Sequence, residues 1–207
     1  MSIPDLPPPN KRLGQNFLID PNIVRKIVAL AELGPSDHVL EIGPGRGILT
    51  EALCHAAGRV TAVEVDPRLH AYLKTRQAEL PNADLVCADA LAYSVESLPM
   101  STVVVANLPY YISTPLLFRL LDQRGRFPRM VLMLQAEVAD RLVAKPGGSD
   151  YGCSQSWRST QPRLPNRFVS QPSVSAPDRR SPQQCCCCAR KSVRGLAGRK
   201  KSHFARS

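Results

Sequence analysis

Five short apolar, β-rich runs recur along the first 152 residues and limit what this chain can fold into. They are His38–Ile42, Val60–Val65, Asp84–Cys87, Thr102–Ala106 and Met130–Leu134. Helical patterns fall between most of them, at Asn22–Glu32, Ile48–Ala57, Arg68–Glu79 and Pro115–Leu121, with Ala136–Ala144 after the last. Strands that alternate with helices pair in one direction, and their crossovers cover both faces of the sheet. The expected fold class is therefore α/β, a parallel sheet with helices on both faces. Asp20-Pro21, Asp66-Pro67 and Thr114-Pro115 each place a capping side chain before a proline at the first helical position. No internal repeat is visible. Ligands of such sheets bind beyond the carboxyl ends of the strands, so chemistry-bearing motifs should directly follow the runs.

Charge divides the chain in two. The formal total is +10, but residues 1–152 hold 15 Lys+Arg against 16 Asp+Glu, a net of −1. Residues 153–207 hold 12 basic residues against Asp178 alone, a net of +11. Only Leu164, Phe168, Val169, Val174, Val193, Leu196 and Phe204 of those 55 residues are Leu, Ile, Val or Phe, about one in eight. A strongly charged segment below roughly 20% buries too little surface to order itself. Residues 1–152 are thus expected to fold, and 153–207 to be a basic, disordered tail. The tail also holds the run Cys185-Cys186-Cys187-Cys188, which lacks the spacers of zinc sites, so no metal is assigned. Met1 to Pro9 has four prolines and no apolar stretch, and no run is long enough to span a bilayer. A cytoplasmic protein without a disulfide framework is expected.

Four motifs carry chemistry. Glu41-Ile42-Gly43-Pro44-Gly45-Arg46-Gly47 joins the first strand to the next helix, and its glycines let backbone approach a ligand closely. A dinucleotide site wants G-x-G-x-x-G/A, and here Ile48 stands where the third small residue belongs. The alternate glycines instead resemble the S-adenosylmethionine (SAM) loop of Rossmann-like methyltransferases; a plain tight turn is the alternative. Glu64 ends the second strand, where a carboxylate can accept from both hydroxyls of a ribose, the alternative being a surface carboxylate. Asp66 reads as a helix cap. Asp89, directly after the third strand, suits the exocyclic amine of an adenine, or else caps its loop.

The fourth motif, Asn107-Leu108-Pro109-Tyr110-Tyr111-Ile112-Ser113, is the specific one. An adenine amine is a poor nucleophile because its lone pair is delocalised into the ring. Two acceptors, the Asn107 side-chain oxygen and the Leu108 carbonyl, can pyramidalise that nitrogen. Pro109 stiffens the turn. Tyr110 offers a flat face on which an unstacked base rests. An ordinary strand-ending turn is the alternative.

These stretches, with Leu13-Gly14-Gln15-Asn16-Phe17-Leu18 and Gln135-Ala136-Glu137-Val138-Ala139-Asp140-Arg141-Leu142, resemble the ribosomal RNA adenine dimethyltransferase family over nearly all of residues 10–152. The likeness is greatest to its bacterial small-subunit branch, associated with kasugamycin sensitivity. It implies a Rossmann-like, SAM-dependent catalytic domain that dimethylates two adjacent adenosines of small-subunit ribosomal RNA during ribosome biogenesis, acting as a monomer. It also implies cofactor contacts at Asn16, Leu18, Gly43, Glu64, Asp89 and Asn107, with catalysis at Asn107, Leu108, Pro109 and Tyr110. Arg119, Arg124, Arg126 and Arg129 form the one dense basic cluster before the tail and, with Lys11-Arg12, are candidates for RNA contact; a solvated helix end is the alternative.

The likeness stops near Tyr151-Gly152. Family members continue with a further strand and a Phe-Arg-Pro … Ser-Ala-Val segment. Four cysteine codons read one base out of frame give a Val/Ala run, and Gln183-Gln184 then give Ser-Ser, so a change of reading frame after about residue 152 is expected, leaving the sheet incomplete at its C-terminal end. Two further readings remain. One is a large-subunit RNA methylase conferring antibiotic resistance, although Leu108 stands where that group usually has Ile. The other is an inactive product that binds nucleic acid only through its basic tail.

Overall fold

The computed structural model describes residues 7–10, 13, 15, 17–108, 112–123, 125–135, 166–170 and 184–190, the last two segments and residue 135 as backbone only. The chain runs α1 (Pro21–Ala31), β1 (His38–Ile42), α2 (Ile48–Ala56), β2 (Arg59–Glu64), α3 (Pro67–Thr75), β3 (Ala83–Cys87), β4 (Val103–Asn107), α4 (Ser113–Asp122), β5 (Arg129–Gln135), β6 (Asn166–Ser170) and β7 (Gln184–Arg190). The sheet order is β3-β2-β1-β4-β5-β7-β6. The first five strands are parallel, as the alternation of strand and helix requires. The expected helix at Ala136–Ala144 lies outside the described residues.

Strand side chains alternate between faces, and that parity builds two cores. On one face Val39, Val60, Ala62, Val103, Val105 and Val131 pack against Val24 and Ile27 of α1, Leu49 and Leu53 of α2, and Leu73 of α3. On the other, Leu40, Ile42, Val104, Ala106 and Leu132 meet Leu116, Leu117, Leu120 and Leu121 of α4. The central strands are buried on both sides and therefore read as continuous apolar runs rather than alternating ones.

Two of the three proline-marked helix starts stand as read. The Asp20 carboxylate accepts from Asn22 N–H and that of Asp66 from Arg68 N–H, each with proline opening the helix. The third is corrected. The helix α4 starts at Ser113, with Ile112 as its cap and no side-chain capping bond, so Thr114 and Pro115 lie inside the first turn. Proline is tolerated there because the first N–H groups of a helix have no partner within it.

The tail departs from expectation. Asn166–Ser170 and Gln184–Arg190 are strands, with β7 antiparallel to β5 (Met133 opposite Cys186, Leu132 opposite Cys187) and β6 antiparallel to β7. Low apolar content argues against a separate core, but the outer edge of β5 offers a row of N–H and C=O groups that any extended segment can satisfy. The remainder of 153–207 lies outside the described residues.

Below the sheet, Arg129 at the start of β5 clasps the end of α1. Its guanidinium donates to Ala31 O (2.8 Å) and Glu32 O, and pairs with Asp37 at 2.9 Å. A cation at a helix C-terminus satisfies carbonyls that lack partners in the helix. We expect Arg129→Met to lower stability by about 1–3 kcal/mol, seen as a lower urea midpoint at unchanged slope. An unchanged midpoint would show that the clasp contributes nothing.

Candidate functional site

Strand order reverses between β1 and β4, so the crossovers leaving those two strands run to opposite sides and open a crevice at their carboxyl ends. A cleft of about 940 Å³, including its open mouth, lies there, lined by Leu13, Leu18, Gly43, Glu64, Asp89 and Asn107 among others. That is ample for a ligand of nucleoside size or larger.

The glycine loop forms its floor. Gly43, Gly45 and Gly47 have φ of +71°, +58° and +84°, a region that costs other residues strain. Space matters as much as angle at two of them. A Cβ at Gly45 would come within 3.2 Å of the Phe17 ring, and one at Gly47 within 2.6 Å of Leu73 Cδ2. The loop is therefore pressed between the N-terminal segment and α3.

Strand parity puts two carboxylates at this floor. Glu41 pairs in register with Ala62, and Glu64 lies two residues further along β2, so both project to the face that α1–α3 cover. Glu64, 4% exposed, accepts from Gly45 N–H through Oε2 (3.0 Å) and from Asp66 N–H through Oε1 (2.9 Å). Burial pushes its pKa up, and these backbone bonds pull it part of the way back. Glu41, 1% exposed, has no hydrogen bond to either carboxyl oxygen among the described residues. Its pKa is pushed up to about 8, mainly by burial, with the Thr50 hydroxyl opposing and the Glu64 charge adding to the rise. The buried Asp66 behaves oppositely. Its carboxyl is held down to about 2, first by the Arg68 guanidinium.

The N-terminal segment closes one wall. Gln15 donates to Asp66 Oδ2 (3.0 Å) and accepts from Asn10 N–H, while Arg46 lies 4.3 Å from the Phe17 ring centroid and donates to Pro7 O. The other wall is the end of β4, where the Asn107 carbonyl stands 3.7 Å from a Cβ built on Gly43, and the buried Leu108 donates its N–H to Met133 O. Above them Asp89 Oδ1 accepts from Leu91 N–H at 2.8 Å, so this residue caps its turn and also lines the cleft.

Six residues singled out from sequence thus surround one cleft: Leu18, Gly43, Glu64, Asp89, Asn107 and Leu108. Asn16, Pro109 and Tyr110 lie outside the described residues. Sequence reading gave Glu41, Gln15 and Phe17 no role of their own. The signal for Glu41 was available, since a charged residue inside an apolar strand needs a reason. The basic cluster is a correction. Arg119 donates to Ala90 O and Tyr93 O, Arg126 to Leu98 O, and Arg129 to the end of α1. These guanidinium groups satisfy backbone carbonyls, which a sequence shows only as a run of positive charge; Arg124 and Lys11-Arg12 lie outside the described residues.

Known proteins agree on what this arrangement belongs to. The chain is 50% identical over 155 residues to ribosomal RNA small subunit methyltransferase A of Moorella thermoacetica, covering 70% of this chain and 54% of that protein. It is 50% identical over 150 residues to the protein of that name from Corynebacterium glutamicum, covering 70% and 51%. The chain spans about half the length of these curated relatives. Among solved structures, a dimethyladenosine transferase from Plasmodium falciparum superposes with a TM-score of 0.70 at 29% identity, covering 84% of this chain and 62% of that one. The 23S rRNA methyltransferase ErmE gives 0.70 at 29%, covering 86% and 70%. A model of the family described as ribosomal RNA adenine dimethylase matches residues 8–155, and the chain belongs to that family.

Proposed function

We propose that this chain binds SAM and serves methyl transfer to N6 of adenosines in small-subunit ribosomal RNA, two adjacent adenosines each dimethylated, in the cytoplasm and as a monomer. The observation that carries the reading is the cleft at the β1/β4 reversal, where glycine loop, Glu64, Asp89 and Asn107 converge. The residues fit such a cofactor. Glu41 is a buried carboxyl with no hydrogen bond among the described residues, suited to a ligand that brings positive charge. Ile48 and Val65 are part-exposed apolar side chains on the same cleft, suited to the flat faces of a base. Curated relatives at 46–50% identity carry the small-subunit name, which favours the small-subunit RNA; among solved structures the dimethyladenosine transferase and ErmE stand level at 29%.

When bound, the cofactor supplies a sulfonium-activated methyl group, so the protein's task is alignment. Glu64 accepts from the ribose hydroxyls with the lone pairs left by Gly45 and Asp66. Asp89 accepts from the cofactor's adenine amine. The Asn107 side-chain oxygen and the Leu108 carbonyl grip the target amine, Pro109 fixes the turn and Tyr110 stacks the target base. Leu18 lines the cofactor's cleft, and Asn16 is the further cofactor contact that the family likeness implies. No general base is required, because the amine sheds its proton to water after attack.

The direct test incubates the 207-residue chain, and a frame-restored version, with labelled SAM and unmethylated small subunits, followed by mass spectrometry of the nucleosides. Binding of SAM with N6-methylated adenosine is the expected result; absence of both in both proteins overturns the reading. In the active protein Tyr110→Ala should lose about 1–3 kcal/mol of stacking, lowering methylation far more than SAM affinity. Full turnover by that variant removes Tyr110 from the base site.

Glu64 supports the loop as well as the ligand, so the substitution has to separate the two. Glu64→Gln keeps its shape and one acceptor, and should cost about 1–3 kcal/mol of SAM affinity by calorimetry. Glu64→Ala should also lower the melting temperature, because Gly45 and Asp66 lose their acceptor. Equal dissociation constants for parent and Glu64→Gln would take the ribose away from this carboxylate.

Glu41 makes stability depend on pH. Its folded pKa of about 8 lies above its usual 4.5, so the folded chain keeps a proton that the unfolded chain has released. Stability therefore falls as pH rises between those values, by of order 2 kcal/mol from about pH 5.5 to 7.5. Urea titrations should show this fall, flattened in Glu41→Gln and reduced by saturating SAM. A parent and variant with the same pH profile would contradict the buried acid.

A further inference from the structure

Beyond the cleft itself, the turn that carries Asp89 is held from behind by one side chain. Ala88 N–H bonds to Glu64 O at 3.0 Å, the last rung of the sheet before the turn. From there the chain closes on itself: Asp89 O accepts from Ala92 and Tyr93 N–H, and Asp89 Oδ1 accepts from Leu91 N–H. Arg119 meets two further carbonyls of this turn, with Nη1 2.6 Å from Ala90 O and Nη2 2.5 Å from Tyr93 O. Arg119 is half-buried on α4, beside a second small cavity lined by Ile42, Val63, Leu116, Leu120 and Phe127. In that apolar setting a planar guanidinium has two advantages. It offers two parallel donors at a fixed spacing, and its bonds are strengthened by the low local dielectric.

We propose that Arg119 is a positioning residue for recognition of the cofactor's adenine. Arg119 is not among the residues that line the cleft. It fixes the 89–93 turn against α4 so that the Asp89 carboxylate stands where an exocyclic amine donates to it. A site built to accept from an N–H rejects the analogue that lacks it, because the acceptor is left unpaired. Loosening the turn therefore erodes discrimination between adenine and hypoxanthine before it erodes binding. The inference rests on the assignment of Asp89 to the adenine amine, and it adds a residue on a different element, behind the turn.

The test measures affinities for S-adenosylhomocysteine and S-inosylhomocysteine, which carries a carbonyl in place of the amine. It uses the 207-residue chain and its Asp89→Asn, Arg119→Met and Arg119→Lys variants. Both ligands are titrated into the same preparation, so any unfolded fraction cancels in the ratio. The parent should favour the adenosyl ligand by about tenfold or more, and Asp89→Asn should abolish that preference. Arg119→Met should narrow it to less than about threefold, with Arg119→Lys in between, because one nitrogen replaces a two-pronged fork. If Arg119→Met does not fold, Arg119→Lys decides the matter alone. A parent without preference overturns the assignment of Asp89, and the inference with it. A parent with preference that the folded Arg119 variants keep overturns the inference alone, even if those variants are less stable, and leaves Asp89 in place.

Discussion

The Glu64 carboxylate bridges two segments that nothing in their own conformation would bring together. One oxygen holds Gly45 N–H in the glycine loop, and the other holds Asp66 N–H at the start of α3. The second bond is buried and the first partly so, and away from water leaving a donor unpaired costs more than the bond itself is worth. The consequences spread outward. The loop is kept flat enough for Phe17 to lie against Gly45, and Asp66 is kept where it caps α3 and receives Gln15 from the N-terminal segment. Floor, rim and closing segment of the cleft thus share one anchor.

Charge placement around that anchor follows from burial. Several basic side chains of the fold are committed to backbone carbonyls or to acidic partners, Arg119 and Arg126 to loops, Arg129 to Asp37 and the end of α1, Arg76 to Glu51 and Glu79. The cleft keeps carboxyl groups in excess, with Glu41, Glu64 and Asp89 against Arg46. Burying an acid without a partner is costly in the free protein, and the cost is lowered by holding the proton. The arrangement favours a ligand that arrives with positive charge and carries donors for the remaining lone pairs.

The sheet edge shows how far composition reaches. A segment of 55 residues with few apolar side chains cannot build a core, but pairing along an existing strand asks only for extended backbone. The strands β7 and β6 take that route, the cysteine run lying opposite Val131, Leu132, Met133 and Leu134 of β5.

Much of this protein is written in local pattern. Apolar runs spaced by amphipathic helices dictate a parallel sheet, because period-2 and period-3.6 burial are local properties. Asp20 and Asp66 announce their helices because a cap is a contact between near neighbours. The motif residues Gly43, Glu64, Asp89 and Asn107 could be placed at one sheet edge from their positions after strands alone. Tertiary structure decided what depends on partners distant in sequence. It showed that Glu64 is a strut between loop and helix, and that neither carboxyl oxygen of the buried Glu41 has a hydrogen bond among the described residues. It turned the arginines of α4 and β5 inward to carbonyls 26 to 98 residues away. It started α4 before Thr114 and gave β5 an antiparallel neighbour from the tail. A hydrogen bond between distant residues leaves no period in the sequence, and a positive charge reads the same whether it faces water or a carbonyl.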